Sequence, residues 1–291
     1  MSSAPLVDPG AAGFGRAMKG PSAFGSDMGR FWRLTWALAA TDFKLKFFGS
    51  VLGYLWQLMR PLLLFGVLYV VFTQFLGVTG DAKYFPVALL LGIVLFQFFS
   101  EATGGAVRSI VNRENLVRKI EFPRLAVPAA TVLTALFNLA LNLVPVLLFL
   151  LLAGGRPRWS WLAFPLLVAA LAIFALGFGM LLSALFVRYR DIEPIWDVVL
   201  QVMFYGSPIL YPLQIVIDKA GASVASLLMA NPFASILQQA RHTFIDPSHV
   251  SATAAIGGAP RLLIPVTAIA LVFAVGLWVF VREAPRIAED L

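Results

Sequence analysis

The segment NRENLVRKIEFPR at residues 112–124 is the densest group of charges between the apolar stretches of this sequence. The stretches on either side, residues 85–104 and 127–153, are each long enough to cross a bilayer, whose ~30 Å hydrocarbon core needs roughly 20 residues of helix. A charged segment between two such stretches must lie in water, and it therefore fixes where both neighbouring spans end. The sequence predicts an integral membrane protein.

The charged segment itself has the pattern of a short amphipathic helix. Its apolar residues recur at helical spacing, and its basic residues point in other directions. The pair Phe122-Pro123 closes the helix, because proline disfavours helical backbone in the residue before it. The apolar positions are Leu116, Val117 and Ile120, and the basic ones are Arg113, Arg118 and Lys119. Two interpretations stay open: a solvated loop whose charges only fix topology, or a docking element that passes the movement of a partner to the spans.

The composition points to the same class of protein. Of the 291 residues, 60% are hydrophobic and 13% are charged, whereas soluble domains have about 45–50% and 25%. Cysteine is absent, which excludes disulfides, thiolate catalysis and sulfur-bound metals. The net charge of +7 arises from basic residues that flank apolar segments. We assign them to lipid head groups and topology, with no role in binding nucleic acid.

Three parts are expected along the chain. Residues 1–25 are rich in Gly, Ala, Ser and Pro and are predicted to form a flexible cytoplasmic tail. Residues 26–48 are predicted to form an amphipathic helix in the membrane interface, with tryptophans at head-group depth. Ordinary packing against the first span is the other interpretation of this helix, and the two are compatible. Residues 49–291 form the transmembrane domain.

The predicted fold class is all-α, with six transmembrane helices. The spans are expected at residues 61–78, 85–104, 127–153, 161–186, 195–211 and 262–281. Between the fifth and sixth spans, short apolar pieces are separated by Gly221 and Asn231-Pro232. Backbone at membrane depth must be satisfied by protein or water, so these pieces suit re-entrant helices that line a cavity. A small folded cap at the outer face is the alternative.

Lysine and arginine predict the orientation of the spans. The segments on the side of both chain termini carry 16 of the 22 basic residues, and the segments on the other side carry 6. Under the positive-inside rule this places both termini in the cytoplasm. We therefore expect a multi-pass protein of the cytoplasmic (inner) membrane.

Few polar groups lie inside the predicted spans. Asn138 and Asn142 share one helix face, where they are either interhelical hydrogen-bonding partners or part of a pathway lining. Glu101 is expected to pair with a cation such as Arg108, because an unpaired carboxylate near the membrane would be costly. Gly177 and its neighbours lack the features of a dinucleotide site and are assigned to close helix packing.

Two absences bear on the energy source. The sequence has no G-x-x-x-x-G-K-[ST] motif, so this chain holds no ATP in a P-loop. It also lacks acid–base pairs spread through the spans, which makes transport driven by protons or ions the weaker hypothesis. The driving energy is expected to come from another subunit.

Three blocks of sequence resemble one known family. The first is GSVLGYLW at residues 49–56 followed by Pro61, the second is NLVRKIEFPR at residues 115–124 with Pro128, and the third is RYRDI at residues 188–192, followed by Gln201, SPILYP at residues 207–212 and Asn231-Pro232. In order and content they are similar to the membrane subunits of ABC-2 type exporters, in particular those that export lipid-linked polysaccharides such as O-antigens and teichoic acids.

The resemblance implies a half-transporter. Two copies of the chain would form a conduit, and two copies of a separate P-loop ATPase, which holds ATP and Mg, would dock beneath it. The chain itself would bind no cofactor and would not be an enzyme. By similarity, the charged segment is the coupling helix on the ATPase, with contact residues Asn115, Leu116, Val117, Arg118, Lys119, Ile120, Phe122 and Arg124.

The resemblance extends to two further groups of residues. A second cytoplasmic contact would comprise Arg188, Arg190 and Asp191, for which topology charges and a helix cap are the alternative. A gate at the outer mouth would comprise Pro208, Tyr211, Pro212, Asn231 and Pro232.

A long polar polymer cannot cross in one alternating-access movement, so it needs a continuous conduit and repeated strokes. Aromatic ring faces stack on sugar rings without trapping them as charges would. The candidates for the conduit lining are Phe72, Phe75, Phe96, Asn138 and Asn142. The basic residues Lys44, Lys46 and Arg60 are candidates to hold a lipid diphosphate, or else only fix topology.

The leading hypothesis is a permease subunit that exports polysaccharide linked to undecaprenyl diphosphate across the cytoplasmic membrane. One alternative is an ABC-2 permease for a drug or a lipid. The other is a membrane enzyme acting on polyprenyl phosphates, for which Asp191 and Glu193 are the nearest pair of carboxylates.

Overall fold

The computed structural model describes residues 27–47, 53–75, 77, 84–117 and 122–284. Every regular element in these ranges is helical, which confirms the all-α fold class. The predicted tail at residues 1–25 lies outside the described residues, as do Arg118, Lys119 and Ile120 of the charged segment.

The helices follow one another with short connections. They are α1 (Met28–Phe47), α2 (Gly53–Val70), α3 (Phe85–Val107), α4 (Glu114–Val117), α5 (Ala126–Leu152), α6 (Phe164–Arg188), α7 (Ile192–Gly206), α8 (Leu213–Ala220), α9 (Ala222–Met229), α10 (Pro232–Ala240), α11 (Ala252–Ile256) and α12 (Leu263–Glu283). Wider π-helical turns continue α2 as Val71–Phe75 and α10 as Arg241–Ile245. Tighter 3₁₀ turns precede α4, α6 and α12 at Val111–Arg113, Trp159–Ala163 and Ala259–Leu262.

Five helical segments are long and apolar enough to cross a membrane. They are Leu55–Phe75, Phe85–Val107, Ala126–Leu152, Trp159–Arg188 and Ala259–Glu283, and they correspond to the first four and the last of the predicted spans. The predicted fifth span is α7, which has 15 residues. At 1.5 Å per residue, α7 rises about 22 Å, less than the ~30 Å hydrocarbon core. The sixth crossing therefore stays a prediction.

The first span begins earlier than its sequence pattern indicates. Helix α2 starts at Gly53, whereas the predicted span starts at Pro61, which lies inside the helix. The polar residues Gln57 and Arg60 make the first half of α2 look unsuited to a membrane. Both side chains line a cleft described below, where polar groups are tolerated.

Helix α3 is the centre of the bundle. Within its membrane-spanning window 72% of the residues are buried, compared with 6% for the α2 segment and 11% for α12. It packs against α2, α5, α6 and α7. A buried bond from Trp196 Nε1 to Thr103 Oγ1, 3.0 Å long, fixes α7 to it. The peripheral helices leave apolar faces exposed, as expected for surfaces that meet lipid or another subunit.

Helix α1 lies along α5 and not along the first span. Phe31, Thr35 and Ala39 form its buried face at intervals of one helical turn. Trp32 and Trp36 lie on the outer side, with 61% and 59% of their surface exposed. The helix is amphipathic as predicted, and its buried face contacts mainly α5 and to a smaller extent the first span. Its location in the membrane interface stays a prediction.

Helices α6 and α12 approach each other through glycine. A Cβ added to Gly276 would lie 2.1 Å from the carbonyl oxygen of Gly177, and one added to Gly177 would lie 2.9 Å from the backbone of Phe273. Only glycine allows the two backbones to come this close. The prediction of close helix packing at Gly177 is confirmed.

The helices between α7 and α12 return into the bundle. Asn231 caps α10 by accepting a hydrogen bond from the Phe233 amide, 3.0 Å away. The Phe233 ring lies 5.5 Å from the ring of Phe96 and 5.8 Å from that of Phe99. These two residues stand near the middle of α3, so α10 begins at the mid-depth of the bundle. This is the re-entrant arrangement that the short apolar pieces predict.

The two ends of the bundle are named after the short helices nearest to them. At the α4 end, residues from α1, α6 and α12 pack around α4 in one buried cluster. At the α11 end, the connection between α5 and α6 meets the π-helical turn that continues α10, through a 2.7 Å bond from Ser160 Oγ to the Thr243 carbonyl.

The glycine contact predicts a large effect of one methyl group. Replacing Gly276 with alanine forces α12 away from α6 and should lower the free energy of unfolding by about 3 kcal/mol or more. Thermal unfolding in detergent measures this change. Gly66→Ala is the matched control, since an added Cβ there has no atom within 4 Å and helix propensity should stabilise the chain by roughly 0.5–1 kcal/mol. Equal melting temperatures for the two variants would contradict the packing argument.

Candidate functional site

A cleft of about 910 Å³ opens between α2, α3 and α7. Its lining combines aromatic rings, amides, hydroxyls and charges. Helix α2 contributes Trp56, Gln57, Arg60, Pro61 and Leu64, helix α3 contributes Ile93, Phe96, Gln97, Ser100 and Glu101, helix α7 contributes Asp197, Leu200, Gln201, Phe204 and Tyr205, and α1 contributes Lys46.

Helical periodicity explains why these residues share one cavity. On each of the three helices the lining positions recur every three or four residues, in part as adjacent pairs, which is the spacing of one helix face. Polar side chains inside membrane spans are costly unless they face a cavity or a partner. The polar positions of α2, α3 and α7 therefore mark the faces that the three helices turn toward the cleft.

The chemistry of the lining changes from one end of the cleft to the other. Lys46, Glu101 and Asp197 lie toward the α4 end, whereas Phe204 and Tyr205 lie toward the α11 end. The rings of Phe96 and Phe204 meet edge to face with their centroids 5.0 Å apart. Amides and hydroxyls can exchange hydrogen bonds with a polar ligand, while the rings offer it apolar faces. This combination suits an extended ligand that is rich in hydroxyl groups.

A hydrogen-bond network crosses the cleft wall at Glu101. Its Oε1 accepts from Lys46 Nζ and from Asn138 Nδ2, which is 2.8 Å away. The expected pairing of Glu101 with Arg108 is wrong, because Arg108 binds Glu193 at the start of α7. Seven residues place Arg108 about two turns, or ~10 Å, along the helix axis from Glu101, and at that level it meets Glu193 of α7.

The structure separates the predicted conduit residues. Phe96 lines the cleft, whereas Phe72, Phe75, Asn138 and Asn142 do not belong to its lining. Phe75 is 78% exposed. Asn138 and Asn142 are buried between helices, and neither Oδ1 atom has a hydrogen-bond partner among the described residues. Their placement fits interhelical contact better than pathway lining.

Only some of the three predicted diphosphate-binding cations lie in the cleft. Lys46 and Arg60 both line the cleft. Lys44 is exposed on the last turn of α1 and is not part of the lining. Two of the three candidates thus come together with Phe96 in one cavity.

Some of the predicted coupling residues are exposed at the α4 end, and others are buried in the bundle. Asn115 is exposed and Leu116 is half-buried, so both present atoms at the α4 end. Val117, Phe122 and Arg124 are buried. The two apolar ones pack in the cluster that includes Phe31, Ile110 and Phe280 from α1, the α3–α4 connection and α12. Movement of this element is therefore tied mechanically to several helices.

Two arginines at the α4 end have different environments. Arg113 forms an ion pair with Asp42, which joins α1 to the turn before α4. Arg124 is 1% exposed, and its Nε and Nη1 have no hydrogen-bond partner among the residues that the structure describes. Burial lowers the pKa of the Arg124 guanidinium below its usual value.

The predicted second contact lies at the same end as α4. Arg188, Arg190 and Asp191 are all exposed, next to Val187 of the buried cluster. The Arg190 guanidinium carbon lies 4.9 Å from the centre of the Phe186 ring. Asp191 precedes α7 but its side chain makes no cap hydrogen bond. The helix-cap alternative is therefore wrong for this carboxylate.

The predicted outer-gate residues form one region around the break after α7. Pro208, Pro212 and Pro232 are buried, and Tyr211 and Asn231 are half-buried. Asn231 Nδ2 lies 3.5 Å from Ser207 Oγ, which links the start of α10 to the break.

Arg241 holds this region to the centre of the bundle. Its guanidinium donates to the carbonyl of Ala88 on α3 at 3.3 Å, to that of Ile209 at 2.8 Å and to that of Pro208. The residue is 3% exposed. A Cβ on Gly92 would come within 3.2 Å of the guanidinium, so glycine leaves the space that the side chain occupies. Sequence reasoning missed this residue, since an arginine in a predicted loop has no distinctive pattern.

An ion pair closes the α11 end. Arg158 Nη2 lies 3.0 Å from Asp246 Oδ2. Burial by itself would raise the pKa of the Asp246 carboxyl, but hydrogen bonds from Ser248 and the charge of Arg158 together hold that pKa well below its usual range. The carboxylate is thus ionised at any physiological pH and fixes the loop between α5 and α6 to the end of α10.

The fork of donors on Arg241 predicts that lysine cannot replace it. Arg241→Lys leaves at least one buried carbonyl without a donor, and each such group costs about 1–3 kcal/mol of stability. The melting temperature in detergent should fall clearly. Gly92→Ala, which crowds the same guanidinium, should cause a smaller fall. Gly104→Ala on the same helix is the control, because its Cβ would meet nothing closer than 4.0 Å. A stable Arg241→Lys protein would refute the assigned role.

Comparison with known proteins places these features in a family. The family model described as "ABC-2 type transporter" matches residues 33–245. The chain is 31% identical over 211 residues to the O-antigen export system permease protein RfbA of Myxococcus xanthus, covering 72% of this chain and 79% of that protein. It is 26% identical over 221 residues to the Klebsiella pneumoniae protein of the same name, with 76% and 83% covered. It is also 23% identical over 217 residues to the polysialic acid transport protein KpsM of Escherichia coli, with 74% and 82% covered. The residues matched by the family model include the charged segment, the cleft and helices α8, α9 and α10, and the chain belongs to the ABC-2 type transporter family.

Proposed function

We propose that this chain is the membrane permease subunit of an ATP-driven exporter of lipid-linked polysaccharide, such as an O-antigen or a teichoic acid carried on undecaprenyl diphosphate. Two copies of the chain form the conduit in the cytoplasmic (inner) membrane, with both termini in the cytoplasm. Two copies of a P-loop ATPase subunit bind ATP and Mg and drive the export.

The observation that carries this proposal is the lining of the cleft. Over about two and a half turns of α3 and of α7, aromatic rings stand beside amides and hydroxyls, and Lys46 and Arg60 add two cations to the lining. A glycan needs both apolar ring faces and hydrogen-bonding groups, while its diphosphate carrier needs cations. The names of the relatives, two for O-antigen export and one for polysialic acid transport, support the same class of cargo.

A second copy of the chain explains the exposed faces beside the cleft. Helix α2 exposes Leu63 and Val67, and helix α7 exposes Val198 and Val202. These faces flank an opening that contains charged and amide side chains, which would be costly to leave against lipid. A partner copy that covers the opening, with its own cleft opposite, would produce a closed conduit.

The α4 end is suited to receive the ATPase. The exposed Asn115 and the neighbouring Arg188 and Arg190 present polar groups there, and the buried Val117 and Phe122 connect the same element to the bundle. A push on α4 is thereby transmitted to α1, α6 and α12. The energy of ATP hydrolysis can reach the spans by this route.

The two alternatives are less well supported. A permease that moves an apolar drug or lipid is best served by an apolar pocket, whereas this cleft carries four charged side chains. A membrane enzyme built on Asp191 and Glu193 would require a free pair of carboxylates. Glu193 is instead bound to Arg108, so it is not free to form such a pair with the exposed Asp191.

If the cleft is the path of the glycan, removal of the Trp56 ring should lower export. Trp56→Ala should lower export roughly two- to tenfold, because an aromatic contact contributes about 0.5–1.5 kcal/mol. The measurement is the amount of polymer at the cell surface, together with the undecaprenyl-linked polymer that accumulates inside. Trp278→Ala on α12 is the control, since the two tryptophans are 65% and 61% exposed but only Trp56 lines the cleft. Equal effects of the two changes would count against a glycan path here.

If the charged segment at residues 112–124 couples the ATPase to the spans, a charge reversal there should uncouple ATP hydrolysis from export. Changing Arg118 and Lys119 together to glutamate should leave the protein inserted, while export falls and substrate no longer stimulates ATP hydrolysis by the partner. Arg156 and Lys219 at the α11 end are exposed, and their joint change to glutamate is the control of equal charge. If the Arg118, Lys119 variant matches the wild type in export and in stimulated hydrolysis, those charges only fix topology.

A further inference from the structure

One cation of the cleft, Lys46, is already bound to a carboxylate of the protein. Lys46, on the last turn of α1, binds Glu101 Oε1 on α3. The same oxygen accepts a 2.8 Å hydrogen bond from Asn138 Nδ2 on α5. A diphosphate that is to bind Lys46 must therefore compete with a carboxylate that is part of the protein.

The two partners differ in how firmly the fold holds them. Glu101 stands in the buried central helix and is bonded to Asn138, which is 1% exposed. The Lys46 side chain is 38% exposed and sits on a flexible four-carbon stem at the end of α1. Lys46 can therefore turn toward a ligand, while Glu101 remains where it is.

The charges of the cleft balance. The lining contains two cations, Lys46 and Arg60, and two carboxylates, Glu101 and Asp197. While Lys46 is bound to Glu101, Arg60 is the lining cation without a carboxylate partner among the described residues. The cleft thus has no net charge to attract an anion, and Lys46 becomes available to one only when its bond to Glu101 opens.

We propose that Glu101 is a resident competitor for the lipid diphosphate: it holds Lys46 when the cleft is empty, gives it up when a diphosphate arrives, and takes it back when the diphosphate leaves. This rests on the proposed export of diphosphate-linked polymer. Because Lys46 exchanges one anionic partner for another, the net gain in binding is small. A transport site must bind well enough to load and weakly enough to release.

The exchange also protects the passage of the glycan. Once the diphosphate has left, Lys46 returns to Glu101 and no longer offers an unpaired charge to the chain of sugars that follows or precedes it. Glu101 is therefore a specificity-determining residue that acts through Lys46. A purely structural role for Glu101, as a tie between α1, α3 and α5, would give different results on removal of its charge.

The test compares two carboxylates of the same cleft. Purified protein in lipid nanodiscs is titrated with inorganic pyrophosphate and, separately, with undecaprenyl diphosphate, for the wild type, Glu101→Gln and Asp197→Asn. Both changes remove one negative charge from the lining, but only Glu101 binds Lys46. Glu101→Gln should bind about threefold to tenfold more tightly than the wild type, with a smaller gain for Asp197→Asn. The gain should vanish in the double variant Glu101→Gln, Lys46→Gln.

Export in cells supplies the second measurement. Glu101→Gln should bind the diphosphate more tightly and yet export polymer more slowly, since release of the diphosphate becomes harder. Loss of a purely structural tie would instead weaken both binding and export. A gain with pyrophosphate shows that the diphosphate charge suffices, and a gain with the lipid alone shows that the carrier is needed; either supports the inference. Wild-type binding without a greater gain for Glu101→Gln than for Asp197→Asn overturns it and leaves the proposed function intact. Absence of binding by every variant would overturn the diphosphate ligand, and with it both proposals.

Discussion

The burial of helix α3 is the constraint on which the remaining structure depends. In a bilayer each backbone group must find its partner within the protein, and polar side chains must face a cavity or one another. Helix α3 is enclosed by its neighbours over most of its length. Its second half nevertheless carries Gln97, Ser100 and Glu101, which are tolerable only on a face that stays open to a cleft. The positions of α2 and α7 on either side of that face follow from this requirement, and so does the cavity between them.

Cations show how the same side chain is accommodated in different parts of the bundle. Arg241 is buried and satisfied by backbone carbonyls, which the break after α7 leaves without helical donors. Arg113 and Arg158 meet carboxylates at the two ends of the bundle. Arg124 is buried with two nitrogens that have no partner in the described part of the chain. Carbonyl or carboxylate partners hold the first three in place, whereas no ion pair of Arg124 is seen in the described part of the chain.

The sequence was sufficient to predict the elements that depend on local pattern. Apolar length predicted the five long spans to within a few residues at most of their ends, and amphipathic spacing predicted α1. Glycine and proline marked the short re-entrant helices. The start of α2 was missed because Arg60 and Pro61 resemble a boundary, although a helix can continue through proline when a cavity accepts its polar face.

Predictions that needed a partner on another helix were less successful. Glu101 has Arg108 seven residues away on its own helix, but the fold brings Lys46 of α1 to it instead. The periodic polar positions of α2, α3 and α7 were visible in the sequence as three separate stripes. No local rule states that three such stripes face each other, since that depends on the order in which the spans pack around α3.

The balanced charge of the cleft gives a physical reason for a motor that acts from outside the chain. A strongly basic conduit would bind a diphosphate carrier tightly and would then have to spend the force of each stroke on releasing it. In this chain the lining supplies a carboxylate for Lys46, so under the proposed exchange the affinity for a diphosphate would be a difference between two ion pairs and not the full strength of one. Small movements of α1 relative to α3 can change that difference. Helix α1 is itself joined to the turn before α4 through Asp42 and Arg113, so a displacement of α4 would reach Lys46, the cation proposed to hold the diphosphate.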